Sequence, residues 1–179
     1  MKITDFQLCK LENSNQLKSF ECNNADLNDF LFDDALDYHK QLMGVTYLIV
    51  DEHENRIVAY YTLFNDKITR AEVARPVWNR MSRNLPNEKR RNHYPAVKIG
   101  RLAVDKNYAN KGIGSTILTF LKALFTSDYR TGCRYVTVDA YNEALPFYEK
   151  NGFSYLTSED ICEDTRLMYF DLKSVSTQR

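Results

Sequence analysis

The first clear periodicity in the chain is helical. In the segment NADLNDFLFDDALDYHKQLM, residues 24–43, apolar residues recur at the three- and four-residue spacing of an amphipathic helix. They are Leu27, Phe30, Leu31, Ala35 and Tyr38. Asn24 is a suitable N-cap, because its side-chain oxygen can accept a bond from the first turn. The remaining positions are rich in aspartate, so the pattern predicts a helix with an acidic outer face.

Strand-like runs lie on both sides of this helix. A short first strand is predicted near Ile3 to Cys9. After the helix, TYLIVD and RIVAYYTLF are separated by the polar tetrapeptide EHEN. Two β-rich runs joined by a short polar turn predict a β-hairpin.

The second half of the chain alternates between the two periodicities. Its order is strand (AVKIGRLAV), helix (GIGSTILTFLKALF), strand (RYVTVDA), helix (EALPFYEKNG), strand (FSYL) and strand (RLMYFDL). A strand, helix and strand in succession imply a parallel pair with a right-handed crossover. The 179 residues suit one hydrophobic core and are few for two. The pattern therefore predicts a single α/β domain, 1–179.

In the long helix of this half, an apolar stripe indicates core packing. It comprises Ile113, Ile117, Leu118, Leu121, Leu124 and Phe125. Thr116, Thr119 and Lys122 are expected to face elsewhere.

Charge is balanced overall but unevenly placed. Lysine plus arginine and aspartate plus glutamate both number 24. Between Arg70 and Lys98, however, eight basic residues stand against two acidic ones. Residues 69–94 hold Trp78, Pro76 and Pro86 among these basic residues, which predicts one short helix followed by a surface loop. The basic cluster fits either a solvated loop or a surface for a phosphate-bearing ligand.

Several protein classes are disfavoured by composition. The chain has no uncharged apolar run of the roughly 18 residues that a membrane span needs, and MKITDFQLCK lacks the apolar core of a signal peptide. A cytoplasmic protein without membrane contact is expected. The four cysteines include no C-x-x-C pair, and only three histidines accompany them, so we predict no disulfide framework and no metal site.

The candidate chemistry lies in YANKGIGS, where Gly112 and Gly114 open the long helix. Free N–H groups and the helix dipole favour an anion there, and glycine lets backbone approach it closely. A dinucleotide fingerprint would need a third glycine at Ile117, and a P-loop would need Lys and Ser/Thr in place of Ser115 and Thr116. Both are excluded, whereas a tight strand-to-helix turn explains the pair as well as a phosphate site does.

The wider sequence resembles the GNAT superfamily of N-acetyltransferases. The resemblance rests on RLAVDKNYANKGIG and, about thirty residues later, DAYNEALPFYEKNGF. It extends from FECNNADLNDFL through AYYTL and PAVKIGRLAVD to FYEKNGF, so it covers most of the chain. It is closest to the acetyltransferase toxins of toxin–antitoxin pairs. It implies a GNAT fold with a central mixed sheet of six to seven strands flanked by helices, and acetyl-CoA as cofactor.

By this resemblance, the loop before the long helix binds the pyrophosphate of acetyl-CoA. The residues implied are Asn110, Lys111, Gly112, Ile113, Gly114 and Ser115. Ala109 stands where the family usually has Gln or Arg, so we expect weaker cofactor binding, with Lys111 supplying a cation. Leu102, Ala103 and Val104 are placed along the pantetheine arm and thioester. Core packing explains the strand alternation of Val97, Ile99 and Ala103 equally well. Asn142 and Phe147 complete the predicted cofactor contacts.

Tyr148 is the predicted general acid, again by resemblance. A phenol with a pKa of about 10 can donate a proton to the departing thiolate without being ionised at neutral pH. Phe147 and Tyr148 also fit the apolar face of a short helix, which for an arbitrary tyrosine would be the better explanation. Asn142 is the expected N-cap of that helix and Gly152 its left-handed end.

No residue is a convincing general base. Glu143 is expected to cap the start of a helix, His93 to lie in a loop, and Asp139 to end a strand. Deprotonating a lysine-like amine at pH 7 costs roughly 4 to 5 kcal/mol, but an α-amine costs about 1. Three hypotheses follow: an acetyltransferase for a small amine or peptide N-terminus, a toxin that acetylates the α-amine of aminoacyl-tRNA, and a non-catalytic cofactor-binding module. The toxin hypothesis adds tRNA, a ribbon-helix-helix antitoxin and a homodimer as candidate partners.

Overall fold

The computed structural model describes residues 5–83, 92–127 and 131–176 as an α/β fold. Its strands are β1 (Gln7–Lys10), β2 (Val45–Asp51), β3 (Arg56–Thr69), β4 (His93–Val104), β5 (Tyr135–Tyr141), β6 (Ser154–Tyr155) and β7 (Thr165–Asp171). Its helices are α1 (Ala25–Asp29), α2 (Ala35–Lys40), α3 (Arg75–Ser82), α4 (Ile113–Ser127), α5 (Leu145–Lys150) and α6 (Lys173–Ser176). The strand order is β1-β2-β3-β4-β5-β7-β6. The predicted mixed sheet of six to seven strands is thus confirmed, with seven.

The chain forms two compact units. The first comprises Met1–Phe64 and Ile99–Phe120, and the second comprises Asn65–Lys98 and Leu121–Arg179. Strands β3 and β4 and helix α4 contribute residues to both. The single-domain organisation stays a prediction.

In the first unit, the predicted hairpin and acidic helix pack on one core. Strands β2 and β3 are antiparallel, with Asp51 opposite Arg56 at the turn. A π-helical turn, Phe30–Asp34, joins α1 to α2, and Asn24 caps α1 by accepting a bond from Leu27 N–H. The predicted stripe is confirmed: Phe30, Leu31 and Ala35 are buried, with Leu27 and Tyr38 packed beside them. The buried cluster comprises Leu11, Phe20, Phe30, Leu31, Ala35, Leu48, Val50, Ile57, Tyr60 and Ala103.

In the second unit, aromatic side chains connect α3 to the sheet. Trp78 stacks on Tyr94 with ring centroids 4.7 Å apart. Tyr94 and Tyr169 each meet Tyr135 edge-on, at 5.8 Å. β7 pairs antiparallel with both β5 and β6, so the last strand lies between two earlier ones.

Several boundaries differ from the predictions. β3 continues to Thr69, five residues beyond the predicted strand, and β4 begins at His93. The short helix predicted within residues 69–94 is α3, while the loop predicted after it, with Lys89, Arg90 and Arg91, falls on residues 84–91, outside the described residues. Within the described ranges, no helix has the length and apolarity to cross a membrane.

Candidate active site

The loop between β4 and α4 is anchored by a buried carboxylate, Asp105. Asp105 is fully buried, and its Oδ2 accepts bonds from Arg56 Nη1 at 2.9 Å and from Glu21 N–H at 3.0 Å. Its Oδ1 accepts from Asn107 N–H at 2.9 Å, which caps the 3₁₀ turn Lys106–Tyr108. A charge taken out of water needs such partners. The start of the loop is therefore held by groups from three parts of the first unit.

Tyr108 provides a second anchor. Its ring is buried, and its hydroxyl donates to Asp51 Oδ2 at 3.0 Å. Burial, together with this bond to a carboxylate, raises the pKa of Tyr108 to about 12. The phenol therefore stays protonated and continues to donate to Asp51. Its buried ring anchors the loop two residues before the left-handed turn, which begins at Asn110.

The turn itself requires left-handed backbone at two positions. Asn110 has φ +60° and Gly112 has φ +80°. A Cβ on Gly112 would meet no heavy atom within 4 Å, so conformation rather than lack of space favours glycine here. Helix α4 starts at Ile113, and its first bond runs from Thr116 N–H to the Gly112 carbonyl, at 3.0 Å. The N–H groups before Thr116 precede that bond, as at any helix start.

Lys111 is held on the loop. Its Nζ donates to the Asn107 carbonyl at 2.8 Å and lies 5.0 Å from the centroid of the Tyr108 ring. The side chain is exposed, as is Ala109. A cation is thus present in the loop that lacks the family's usual Gln or Arg.

The end of β4 alternates as a strand should. Ala103 is buried in the core of the first unit, whereas Leu102 and Val104 are partly exposed on the other face. Arg101 lies next to them, 3.6 Å from Asp26 and 4.8 Å from the centroid of the Phe30 ring. Contacts of Leu102, Ala103 and Val104 with a cofactor stay predictions.

In the second unit, α5 carries Tyr148 and ends in a tightly bonded turn. Phe153 N–H donates to the Tyr148 carbonyl at 3.0 Å, and Gly152 N–H donates to that of Glu149 at 2.9 Å. With Gly152 at φ +81°, these bonds make a Schellman motif. The apolar contact that accompanies such motifs is present, because the Tyr148 and Phe153 rings meet edge-on at 5.3 Å. The sequence YEKNGF therefore forms a helix C-terminus in which the Tyr148 ring is held against Phe153.

Burial shapes the chemistry of Tyr148. The side chain is 6% exposed, and burial raises its pKa above the ordinary value for tyrosine. Within the described part of the chain, no hydrogen-bond partner occupies its hydroxyl. Such a group stays protonated at neutral pH and is chemically suited to be an acid rather than a base.

Asn142 departs from its predicted structural role. It is not the N-cap of α5, which is Ala144, but the first residue of a 3₁₀ turn, Asn142–Ala144. Its Nδ2 donates to the Glu163 carbonyl at 3.0 Å, because the segment before β7 lies within reach. Phe147 is partly buried and meets Tyr148 edge-on. The cofactor contacts of both residues stay predictions.

Gly152→Ala is expected to destabilise the protein by about 1–2 kcal/mol, because an alanine at positive φ is strained. Its Cβ would also lie 3.2 Å from Phe170 Cε2. Thermal unfolding measures the loss. Gly132→Ala is the matched control, since a Cβ there meets nothing within 4 Å. Equal melting temperatures for the two variants would contradict the prediction.

The structure thus places the predicted residues in two groups. Leu102 to Val104 and the loop residues 110–115 lie in the first unit, and Asn142, Phe147 and Tyr148 lie in the second. The rejected base Asp139 is ion-paired with Lys98. No cluster suited to a metal ion occurs among the described residues.

Sequence reasoning missed the supporting residues, Asp105, Tyr108 and Lys122. Lys122 was expected to face away from the core, yet it is half-buried, and its Nζ lies 2.5 Å from the Asn151 carbonyl. Only Asp105 had a local signal, a carboxylate directly after a strand and before a turn. Each of the three has at least one partner that is distant in sequence.

The chain was compared with known proteins. It matches the acetyltransferase (GNAT) domain family over residues 44–155. A tRNA-acetylating toxin of Mycobacterium tuberculosis (strain ATCC 25618 / H37Rv) is 28% identical over 142 residues, which are 78% of either chain. AtaT complexed with acetyl-methionyl-tRNAfMet has a TM-score of 0.76 at 22% identity, with 97% of this chain and 99% of that chain covered. AtaTR bound with AcCoA has a TM-score of 0.72 at 24% identity, with 98% of each covered.

Proposed function

Because the chain belongs to the GNAT acetyltransferase family, it is an acetyl-CoA-dependent acetyltransferase, and we propose that its acceptor is the α-amino group of an aminoacyl-tRNA. The observation that carries the proposal is an exposed arginine face on α3. This face comprises Arg75 and Arg80 of α3 and Arg83 at its C-cap, which are all exposed, whereas Trp78 and Met81 of the same helix are buried. No acidic residue lies on α3.

This arginine face suits a polyanion. Trp78, Met81 and Ser82 tie the helix to the second unit, so the cations are presented from a fixed support. Arg80 also donates to the Tyr169 hydroxyl at 2.9 Å. Arginine binds phosphate bidentately, and phosphate contacts supply most of the salt-dependent affinity for nucleic acids. The acidic face of α1 and α2, in the first unit, would repel the same ligand.

The chemistry also favours an α-amine. Acetyl-CoA supplies a thioester whose carbonyl carbon the amine nitrogen attacks, and the C–S bond then breaks. Tyr148 would give its phenolic proton to the departing thiolate sulfur, the nitrogen would lose a proton to water as the amide forms, and the phenol would regain its proton from solvent. The described residues include no clear base, and an α-amine near pKa 8 needs little help to lose a proton at neutral pH, unlike a lysine amine.

Cofactor binding is assigned to the loop and the start of α4. The N–H groups of Gly112, Ile113 and Gly114 would bind the pyrophosphate, with the exposed Lys111 as a nearby cation. The open space beside Gly112 is compatible with a bulky anion. Asp105 and Tyr108 would keep this loop in place before the cofactor arrives.

The relatives support a toxin with a protein partner. The M. tuberculosis relative is a tRNA-acetylating toxin, and AtaT has been solved bound to the C-terminus of the antitoxin AtaR. By analogy, we place this chain in the cytoplasm, acting on charged tRNA, with an antitoxin as its inhibitor. Expression of the wild type is then expected to arrest bacterial growth and to acetylate the aminoacyl-tRNA pool. Normal growth with unmodified tRNA would instead favour a small amine or peptide acceptor.

The arginine face is tested by replacing Arg75 and Arg83 with Gln. Two lost phosphate contacts are expected to reduce the slope of log affinity against log salt by about 2. Fluorescence anisotropy with labelled tRNA at several salt concentrations measures the slope. Lys18→Gln is the matched control, because Lys18 lies in the first unit and pairs with Glu52. An unchanged slope in the double variant would remove α3 from the interface.

A further inference from the structure

Lys122 makes an unusual contact with the end of α5. Its side chain leaves α4 and is half-buried, with Nζ 2.5 Å from the carbonyl oxygen of Asn151. The ammonium also lies 3.9 Å from the centroid of the Phe170 ring and 5.4 Å from that of Phe153. Lys122 therefore contacts the helix end through a hydrogen bond and the Phe153 ring, and it contacts β7 through the Phe170 ring.

Asn151 is the residue through which this contact reaches α5. It is the C-cap of the helix, and its Nδ2 donates to the Phe147 carbonyl at 2.8 Å. The last carbonyls of a helix carry partial negative charge and lack partners within the helix, so a cation there is stabilising. Lys122 binds one carbonyl at this end while the Asn151 side chain binds another.

Phe153 provides the second path from Lys122 to Tyr148. The Phe153 ring lies between them, 5.4 Å from the Lys122 ammonium and 5.3 Å from the Tyr148 ring. The Phe153 N–H also binds the Tyr148 carbonyl at 3.0 Å. A displacement of this turn would move both the backbone and the ring of Tyr148.

An apolar residue at position 122 would avoid the desolvation penalty of a half-buried ammonium group. Its neighbour Leu121 is buried, and burial lowers the pKa of Lys122 below its ordinary value, which reflects the penalty on the charged form. A leucine or methionine could cover Phe170, but neither could donate to the Asn151 carbonyl. The contact with the α5 terminus therefore requires a side chain that ends in a hydrogen-bond donor.

We propose that Lys122 is a positioning residue for Tyr148: it holds the C-terminal turn of α5 and so sets where the phenol lies. This inference rests on the proposed role of Tyr148 as general acid. Lys122 need not touch the substrate, because a shift of about 1 Å in a reacting group can cost as much as 10²-fold in rate.

The test is a double-mutant cycle in the acetyl-transfer assay, with acetyl-CoA and bulk bacterial aminoacyl-tRNA. Lys122→Met is expected to lower kcat about tenfold with little change in KM for acetyl-CoA, and Lys122→Arg to restore most of the rate. In the Tyr148→Phe background, Lys122→Met should cause no further loss, since the phenol is already absent. Lys40→Met is the control, because Lys40 is a helical lysine that is exposed and paired with Asp37.

The outcomes separate the two hypotheses. If Tyr148→Phe keeps full activity, the proposed acid is wrong and the role of Lys122 falls with it. If Tyr148→Phe loses activity but Lys122→Met is harmless, or lowers kcat equally in both backgrounds, only the positioning role is overturned. Should Lys122→Met fail to fold, Lys122→Gln, which removes the charge and shortens the donor, takes its place in the same cycle.

Discussion

Tyr148→Phe is expected to lower kcat for acetyl transfer by about 10²- to 10⁴-fold, the range for loss of a positioned general acid. KM for acetyl-CoA should change by no more than about twofold, because an interaction made only in the transition state is lost. The ring remains to pack against Phe147 and Phe153, so the fold is kept. Steady-state kinetics of thiol release measure both constants.

The control is Tyr94→Phe, which removes another buried phenol of the second unit, one bonded to Ser82. It should leave kcat unchanged. The wild type should also show no fall in kcat from ionisation of Tyr148 between pH 7 and pH 10, because burial raises its pKa above the ordinary value of 10.0. Full activity of Tyr148→Phe would mean that the thiolate takes its proton elsewhere.

The helices and the hairpin could be predicted because the spacing of their apolar residues matches the positions that are buried. In α4, Ile113, Ile117, Leu118 and Leu121 are all buried as the stripe required. The extension of β3 could not be read in this way. Of its last residues, only Ile68 is buried, so the local sequence lacks an alternating apolar pattern. Pairing with neighbouring strands, rather than the sequence of the segment, sets where such a strand ends.

The candidate site was predicted less completely than the fold. Gly112, Gly152 and Tyr148 could be identified because each belongs to a short motif with a local cause, a left-handed turn or a helix end. The contacts that support these motifs join residues that are distant in sequence. Asp105 lies 49 residues from Arg56 and 84 from Glu21, and Lys122 lies 29 from Asn151. Such contacts depend on the folded arrangement, which no local spacing reveals.

Lys122 shows how the same limit produces an error. On a helical projection it lies off the apolar stripe, and a lysine there is normally solvated. It is half-buried, and its ammonium group lies over the rings of Phe153 and Phe170, which belong to other parts of the fold. A long side chain can bury its methylene groups and still place its charge at a polar partner. Residue type therefore predicted the wrong surroundings for Lys122.

Asp105→Ala is expected to lower the free energy of unfolding by about 3–5 kcal/mol, because it breaks a buried ion pair and leaves the partner unpaired. The Arg56 guanidinium loses its bond to Oδ2, and the N–H groups of Glu21 and Asn107 lose their acceptors. Urea denaturation measures the change. Asp37→Ala is the control, since Asp37 also pairs with a cation, Lys40, but both are exposed, and such pairs contribute about 0–1 kcal/mol.

The same substitution should also weaken cofactor binding. Asp105 caps the turn that leads into the loop, and its carbonyl accepts a bond from Tyr108 N–H at 2.8 Å. Without the carboxylate, the Asn107 N–H loses its acceptor at the start of the turn, so more of the free energy of ordering the loop must come from binding. Calorimetry with coenzyme A, under conditions where the variant remains folded, should show a larger Kd than in Asp37→Ala. Equal affinities would mean that Asp105 stabilises the first unit without organising the loop before α4.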